Sequence, residues 1–187
     1  MNMQRTTSSL VITAVFALTC VFGGNDYATQ TSGFQIPGHG TFRLAVPSGW
    51  QTSDVPLDQP ASVTIRIAPA KGDSFEVHIS TVWLDAKALA ATTPESRRRD
   101  VEHSAEEMLS HAVEKNATIQ EIKGPESVGN YYSLTDRAPG EEEFKYVSQG
   151  TLLTGEVFSA FTILYRTESS AEVTRVLRML TEAIYLK

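Results

Sequence analysis

From Thr41 onward, apolar and polar residues alternate in short runs separated by turn residues. Phe42, Leu44 and Val46 alternate with Thr41, Arg43 and Ala45, the period of two that gives a strand one apolar face. Pro47-Ser48-Gly49 turns the chain and Trp50 opens a second short segment. Val55 to Pro60, with prolines at 56 and 60, reads as a loop. Val63, Ile65 and Ile67 alternate with Thr64, Arg66 and Ala68; after a turn at Lys71-Gly72, Phe75, Val77, Ile79, Thr81 and Trp83 form the inward set of a longer strand. A hairpin of these two strands predicts Arg66 opposite Glu76 and Thr64 opposite His78.

The period then changes. Thr93-Pro94-Glu95 supplies a cap, a proline at the first helical position and an early acid. Val101, Ala105, Met108, Leu109 and Ala112 trace one stripe of a helix predicted to end near Asn116. Ile119 and Ile122 mark a weaker strand. Strong strand patterns follow over 128–136, 144–153 and 156–166, with Thr154-Gly155 as a tight turn. Tyr131 and Tyr132 point to opposite faces, which predicts one buried and one exposed ring. A cap at Ser169 or Ser170, with Glu172 behind it, starts a final amphipathic helix carrying Val173, Val176, Leu177, Leu180 and Ile184. Strands, helix, strands, helix with tight turns between neighbours describe an α+β domain over 41–187. Its sheet is mainly antiparallel and flanked by helices.

The N-terminus has a different pattern. Polar residues with one cation, Arg5, precede the uncharged 13-residue run Leu10 to Phe22, and Gly23-Gly24 follow. The run suits a signal-peptide core and is short of the roughly 20 residues of a membrane span. Residues 1–23 are therefore expected to be a signal peptide that exports the protein to the periplasm or beyond. Cleavage after Ala17 and retention as a membrane anchor are the alternatives. Cys20 is the only cysteine of the 187 residues. Thr19 before it and Ala17 three before it make a degenerate lipoprotein signal, so lipidation of Cys20 is a further alternative. Residues 24–40, rich in Thr, Ser, Gln and Gly, read as a flexible lead-in.

Composition narrows the function classes. Sixteen Lys and Arg against 22 Asp and Glu give a net charge of -6, which argues against nucleic acid or an anionic bilayer as partner. Membrane attachment would come only through a lipid anchor. A single Cys leaves no disulfide framework and no multi-Cys metal site. At 41% apolar residues the chain has ample material for a core.

The segment Thr41-Phe-Arg-Leu-Ala-Val-Pro-Ser-Gly-Trp50, the later Gly129-Asn-Tyr-Tyr132 strand and the terminal helix resemble PsbP-like domains. That group includes photosystem accessory proteins, Mog-type import factors and DcrB-type bacterial envelope proteins. The resemblance implies an α/β/α sandwich around an antiparallel sheet that serves as an accessory or binding module, and it brings no catalytic motif.

The residues add two candidate clusters. His103, Glu107 and His111 are spaced four apart on the predicted helix, a spacing that can present metal ligands. His103 and Glu107 fall opposite the apolar stripe and His111 at its border, as on a solvated face, and no metal or cofactor is expected. Arg43, Arg66, Glu76 and His78 occupy the polar alternation of the early strands and could share one sheet face as a partner-binding surface. The same residues as a water-facing row of ion pairs are the bland alternative. No Gly-x-Ser-x-Gly elbow or supported Ser-x-x-Lys pair occurs. Gly38-His39-Gly40 lacks the context of a phosphate loop, and Arg97-Arg98-Arg99 is balanced by neighbouring acids. The expectation is an exported binding protein of the cell envelope, not an enzyme, that recognises a protein or other envelope component. The rival readings are a hydrolase using His78 with Glu76 or a Ser, and a structural lipoprotein tethered at Cys20.

Overall fold

A computed structural model describes residues 28–56, 61–72, 74–168 and 170–187. The signal-peptide expectation for 1–23, Cys20 and the Ser169 cap lie outside the described residues. Among the described residues, ten strands form two antiparallel sheets. The smaller orders β1 (Thr29–Ile36), β2 (Gly40–Pro47) and β10 (Ile184–Leu186) as β1-β2-β10. The larger contains β3 (Trp50–Pro56), β4 (Ser62–Pro69), β5 (Phe75–Trp83), β6 (Gln120–Lys123), β7 (Ser127–Thr135), β8 (Tyr146–Thr154) and β9 (Val157–Tyr165). Its order is β3-β4-β5-β9-β8-β7-β6.

Alternation decides the layers. Val63, Ile65, Ile67, Phe75, Val77, Ile79, Phe161 and Ile163 leave one face of the large sheet. They meet Phe34, Ile36, Phe42, Leu44 and Val46 of the small sheet and Val176, Met179 and Leu180 of helix α3 (Ser170–Thr181) in one core. On the opposite face α2 (Pro94–Met108) packs on β7 and β8, burying Val101 and Ala105 against Tyr132 and Leu134. Thr93 caps it, its hydroxyl accepting from Ser96 N at 3.1 Å, with Pro94 at the first position. A short helix α1 (Ala86–Ala91) precedes it, capped by Asp85. The α+β class and the antiparallel sheet are as the periodicity implies, with helices on both faces; the small sheet shares one outer layer with α3.

Five expectations are corrected. The lead-in assigned to 24–40 contains β1: Thr29–Ile36 pairs along its whole length with β2, backbone pairing overriding a polar composition. α2 stops at Met108 and a single 3-10 turn, Leu109–His111, ends the helical stretch before Asn116. Ile184 is not helical; α3 ends at Thr181, and Ile184–Leu186 adds a strand to β2. The β4–β5 register is two residues from that expected: Arg66 opposes His78 and Thr64 opposes Ser80, because the connecting loop is longer than a tight turn. Finally, Tyr131 and Tyr132 are both buried, at 9% and 0% exposure, because β7 lies where both faces of the sheet are covered. Trp50, at the start of β3, packs in the core, edge-on to Phe75 at 5.3 Å.

Candidate functional site

Helix α2 covers only the β7–β8 half of its face. Over β4, β5 and β9 the polar alternants Thr64, Arg66, Glu76, His78, Ser80 and Thr162 occupy that face, and no described helix packs over them. Arg66, His78 and Thr162 stand in one row across the three strands. Glu76 Oε1 accepts from Arg66 Nε at 2.6 Å and lies 2.5 Å from His78 Nε2, while Arg66 Nη2 donates to Glu76 Oε2 at 2.7 Å. The Glu76 side chain is 17% exposed, against 55% for Arg66 and 41% for His78. The carboxylate is thus the recessed hub and the two nitrogen heads are the exposed surface. The Arg66 hydrogen bond, opposed by partial burial and reinforced by His78, holds the Glu76 carboxyl below the ordinary carboxylate range. Glu76 in turn raises the Arg66 guanidinium. A bidentate arginine on a recessed carboxylate has a fixed orientation, which a lone exposed pair lacks.

Beside the cluster a polar groove of about 370 Å³ is lined by Gln51, Ser53, Arg66, Ala68, Gly72 and Glu76. Ser53 stands opposite Arg66 in the β3–β4 ladder, so the groove runs from the sheet edge to the ionic cluster. The arrangement offers hydrogen-bond donors and one fixed positive head to a ligand lying flat on the sheet.

Of the four residues assigned to a partner-binding face, the fold brings together Arg66, Glu76 and His78. Arg43 does not join them: it lies on β2 of the small sheet, between Gly33 and Ile184, in the layer behind the opposite face. Strand parity is the same in both sheets, but parity within one strand cannot say which sheet the strand enters. His103 and Glu107 lie 3.4 Å apart with side chains 72% and 69% exposed, and His111 sits in the 3-10 turn after the helix. Among the described residues no group of three or more His, Cys, Asp or Glu could hold a metal ion. For a hydrolase, His78 Nε2 would have to face a nucleophile; here Glu76 engages it.

No protein-family model matches the chain. No curated protein matches it. Chains of several solved structures resemble it, and two of them are the following. One is the solution structure of cyanobacterial PsbP (CyanoP) from Synechocystis sp. PCC 6803, 11% identical, with a TM-score of 0.49, covering 88% of this chain and 96% of that one. The other is a crystal structure from Bacteroides thetaiotaomicron VPI-5482, 14% identical, with a TM-score of 0.44, covering 78% of this chain. The present chain spans 45% of that second protein. Both likenesses are of fold.

Sequence reasoning missed one feature of this face. Strands β8 and β9 carry Val147 and Leu164 on the side opposite the main core, and with Met108, Leu134, Phe144 and Tyr146 they wall an apolar pocket at the end of α2. The departure of β9 from strict alternation, in Ile163-Leu164-Tyr165, was the available signal.

Proposed function

We propose that this protein is an exported, non-enzymatic accessory module of the cell envelope that recognises a protein or other envelope component through the open half of its large sheet. The observation that carries the reading is the Arg66–Glu76–His78 cluster. Its geometry is fixed, its nitrogen heads face solvent, and it borders a groove on a sheet face that the helices leave bare. Such a surface suits recognition, because oriented charges select a partner and set its register. Export rests on the 13-residue apolar run of the leader. Among the described residues no helix is long and apolar enough to cross a membrane. Lipidation at Cys20, as in a DcrB-type envelope protein, would keep the same face available while tethering the chain.

The test uses the protein lacking residues 1–23 as bait in envelope extract, beside its Arg66→Glu and His78→Ala variants. A partner retained by the parent and lost by Arg66→Glu, with both proteins melting at the same temperature, is the expected result. Equal capture by all three removes the open face from the function. His78-dependent turnover of ester, phosphate or peptide substrates would make the protein a hydrolase. Mass measurement of the mature N-terminus decides the leader: a free residue 24 means soluble export, and an acylated Cys20 means a lipid anchor.

A further inference from the structure

Asn116 is followed by Ala117 and Thr118, the Asn-x-Ser/Thr order that oligosaccharyltransferases take as an acceptor. The chain's other asparagines, Asn2, Asn25 and Asn130, have no Ser or Thr two residues on. Glu114 stands two residues before Asn116. Bacterial enzymes of this class also read an acid at that place. Glu114-Lys115-Asn116-Ala117-Thr118 is therefore a complete acceptor for a protein of the cell envelope.

The fold leaves room for a glycan there. Residues 112–119 link the 3-10 turn to β6. Ala117 and Ile119 turn inward against the cluster of Val101, Ala105 and Tyr132, while Asn116 and Thr118, alternating with them, are exposed. An open groove of about 260 Å³ runs beside Asn116, walled by Arg98, Glu102, Glu106 and Leu109. β6 ends the large sheet on the side away from β3 and β4. A glycan at its approach leaves the Arg66 cluster clear and brings a hydrated chain to a short sheet edge, which discourages pairing with another strand.

Glu114 is placed differently. Thr135 N donates to its Oε2 at 2.9 Å and the Thr135 hydroxyl to its Oε1 at 2.8 Å. Val113 N donates to the Thr135 carbonyl at 2.8 Å. Once the fold closes, both oxygens of the acid are turned to β7 and away from an enzyme.

We infer that Asn116 is an N-glycosylation site, modified from a lipid-pyrophosphate-linked oligosaccharide before Thr135 takes up Glu114. Asn116 Nδ2 forms a bond to C1 of the first sugar. The bond from C1 to the pyrophosphate oxygen breaks, its electron pair leaves with the lipid pyrophosphate, and the amide gives up one proton. The inference rests on the export reading, because donor and enzyme act beyond the membrane, and it is independent of the Arg66 face.

The test expresses the full chain in bacterial cells that hold an oligosaccharyltransferase and its lipid-linked oligosaccharide. A C-terminal Asp-Gln-Asn-Ala-Thr tag on the same chain serves as an internal acceptor. The chain is exported once from its own leader and once behind an established secretory leader. Its intact mass is expected to rise by two glycans. Asn116→Gln, Thr118→Ala and Glu114→Gln are each expected to lose one of them, and Glu114→Asp to keep both. Purified, folded, unmodified protein offered to the same enzyme is expected to gain the tag glycan alone. A modified tag with a bare Asn116 in the cells overturns the inference. Folded protein modified at Asn116 as readily as at the tag overturns the stated order. Failure of the export reading looks different: from the chain's own leader the tag stays bare as well, and behind the second leader the state of Asn116 still supports or overturns the site.

Discussion

The imidazole of His39 stacks on the indole of Trp83, ring centroids 3.9 Å apart and planes 16° from parallel. His39 belongs to the β1–β2 turn and Trp83 ends β5, so the stack fastens the rim of the small sheet to the large one. Glu156, in the β8–β9 turn, accepts from Trp83 Nε1 at 3.1 Å and from Lys187 Nζ at 2.6 Å, and the Tyr185 hydroxyl donates to the His39 carbonyl. Trp83→Ala is expected to cost about 3 kcal/mol in urea unfolding, and Trp83→Phe, which keeps a ring, about 1 kcal/mol. In a double-mutant cycle, His39→Ala and Trp83→Ala are expected to couple by about 0.5–1 kcal/mol. Simple additivity would show that the stack holds nothing.

The Glu76 carboxyl titrates below its ordinary range because of Arg66. A depressed carboxylate contributes stability that is present above its unfolded pKa, about 4.3, and is lost as pH falls through the folded value. Glu76→Gln is therefore expected to be less stable than the parent by about 0.5–1 kcal/mol at pH 7. The gap closes below about pH 4. Paired thermal melts over pH 3 to 7 give the answer; a gap that widens in acid contradicts the assignment of Glu76 as the charged hub.

Tyr132 is fully buried, yet its hydroxyl has partners. It donates to Gln149 Oε1 at 3.0 Å and lies 3.1 Å from Ser104 Oγ, tying α2 to β7 and β8. Burial pushes its phenol above the usual range. Tyr132→Phe leaves Gln149 and Ser104 without this partner and is expected to cost about 1–2 kcal/mol. Tyr132→Ala also opens a cavity and is expected to cost about 4 kcal/mol. Chemical denaturation of the two variants separates the hydroxyl from the ring. A Phe variant as stable as the parent would show that the network adds nothing.

Gly150 faces Tyr131 in the β7–β8 ladder. A Cβ there would come within 2.1 Å of the Asn130 carbonyl oxygen and 2.6 Å of Tyr131 Cβ. Backbone cannot retreat from such an approach without breaking the ladder. Gly150→Ala is expected to lower stability by more than about 2 kcal/mol, whereas Thr162→Ala on the open face changes it by less than about 0.5 kcal/mol. Melting temperatures of the two variants compare a crowded position with a bare one.

Much of this architecture is legible in the sequence because one face of each inner strand had to be apolar. The inward sets read from β2, β4 and β5 are the buried residues, from Phe42 to Ile79, and the Thr93-Pro94 start of α2 is where the helix begins. Elements held by pairing were not legible. β1 has only Phe34 and Ile36 to bury and takes its conformation from β2; β10 has three residues and does the same. Of the site, period-two parity correctly set Arg66, Glu76 and His78 on one face. It could not give the register that makes Arg66 meet Glu76 diagonally, nor show that Arg43 enters another sheet. Parity is a property of one strand, whereas a site depends on which strands become neighbours.

Because α2 shields one half of the large sheet, the molecule is three layers thick over β7 and β8 and two layers thick over β4 and β5. Protection of backbone amides follows thickness, since opening a strand backed on both sides disrupts two packed interfaces at once. Deuterium should enter β3 and β4 well before β7 and β8, and it should do so on the half that carries the ionic cluster. The thin half is then where the fold yields at least cost, so an arriving molecule that presses on this side meets a compliant wall, with the rigid half behind it as the footing.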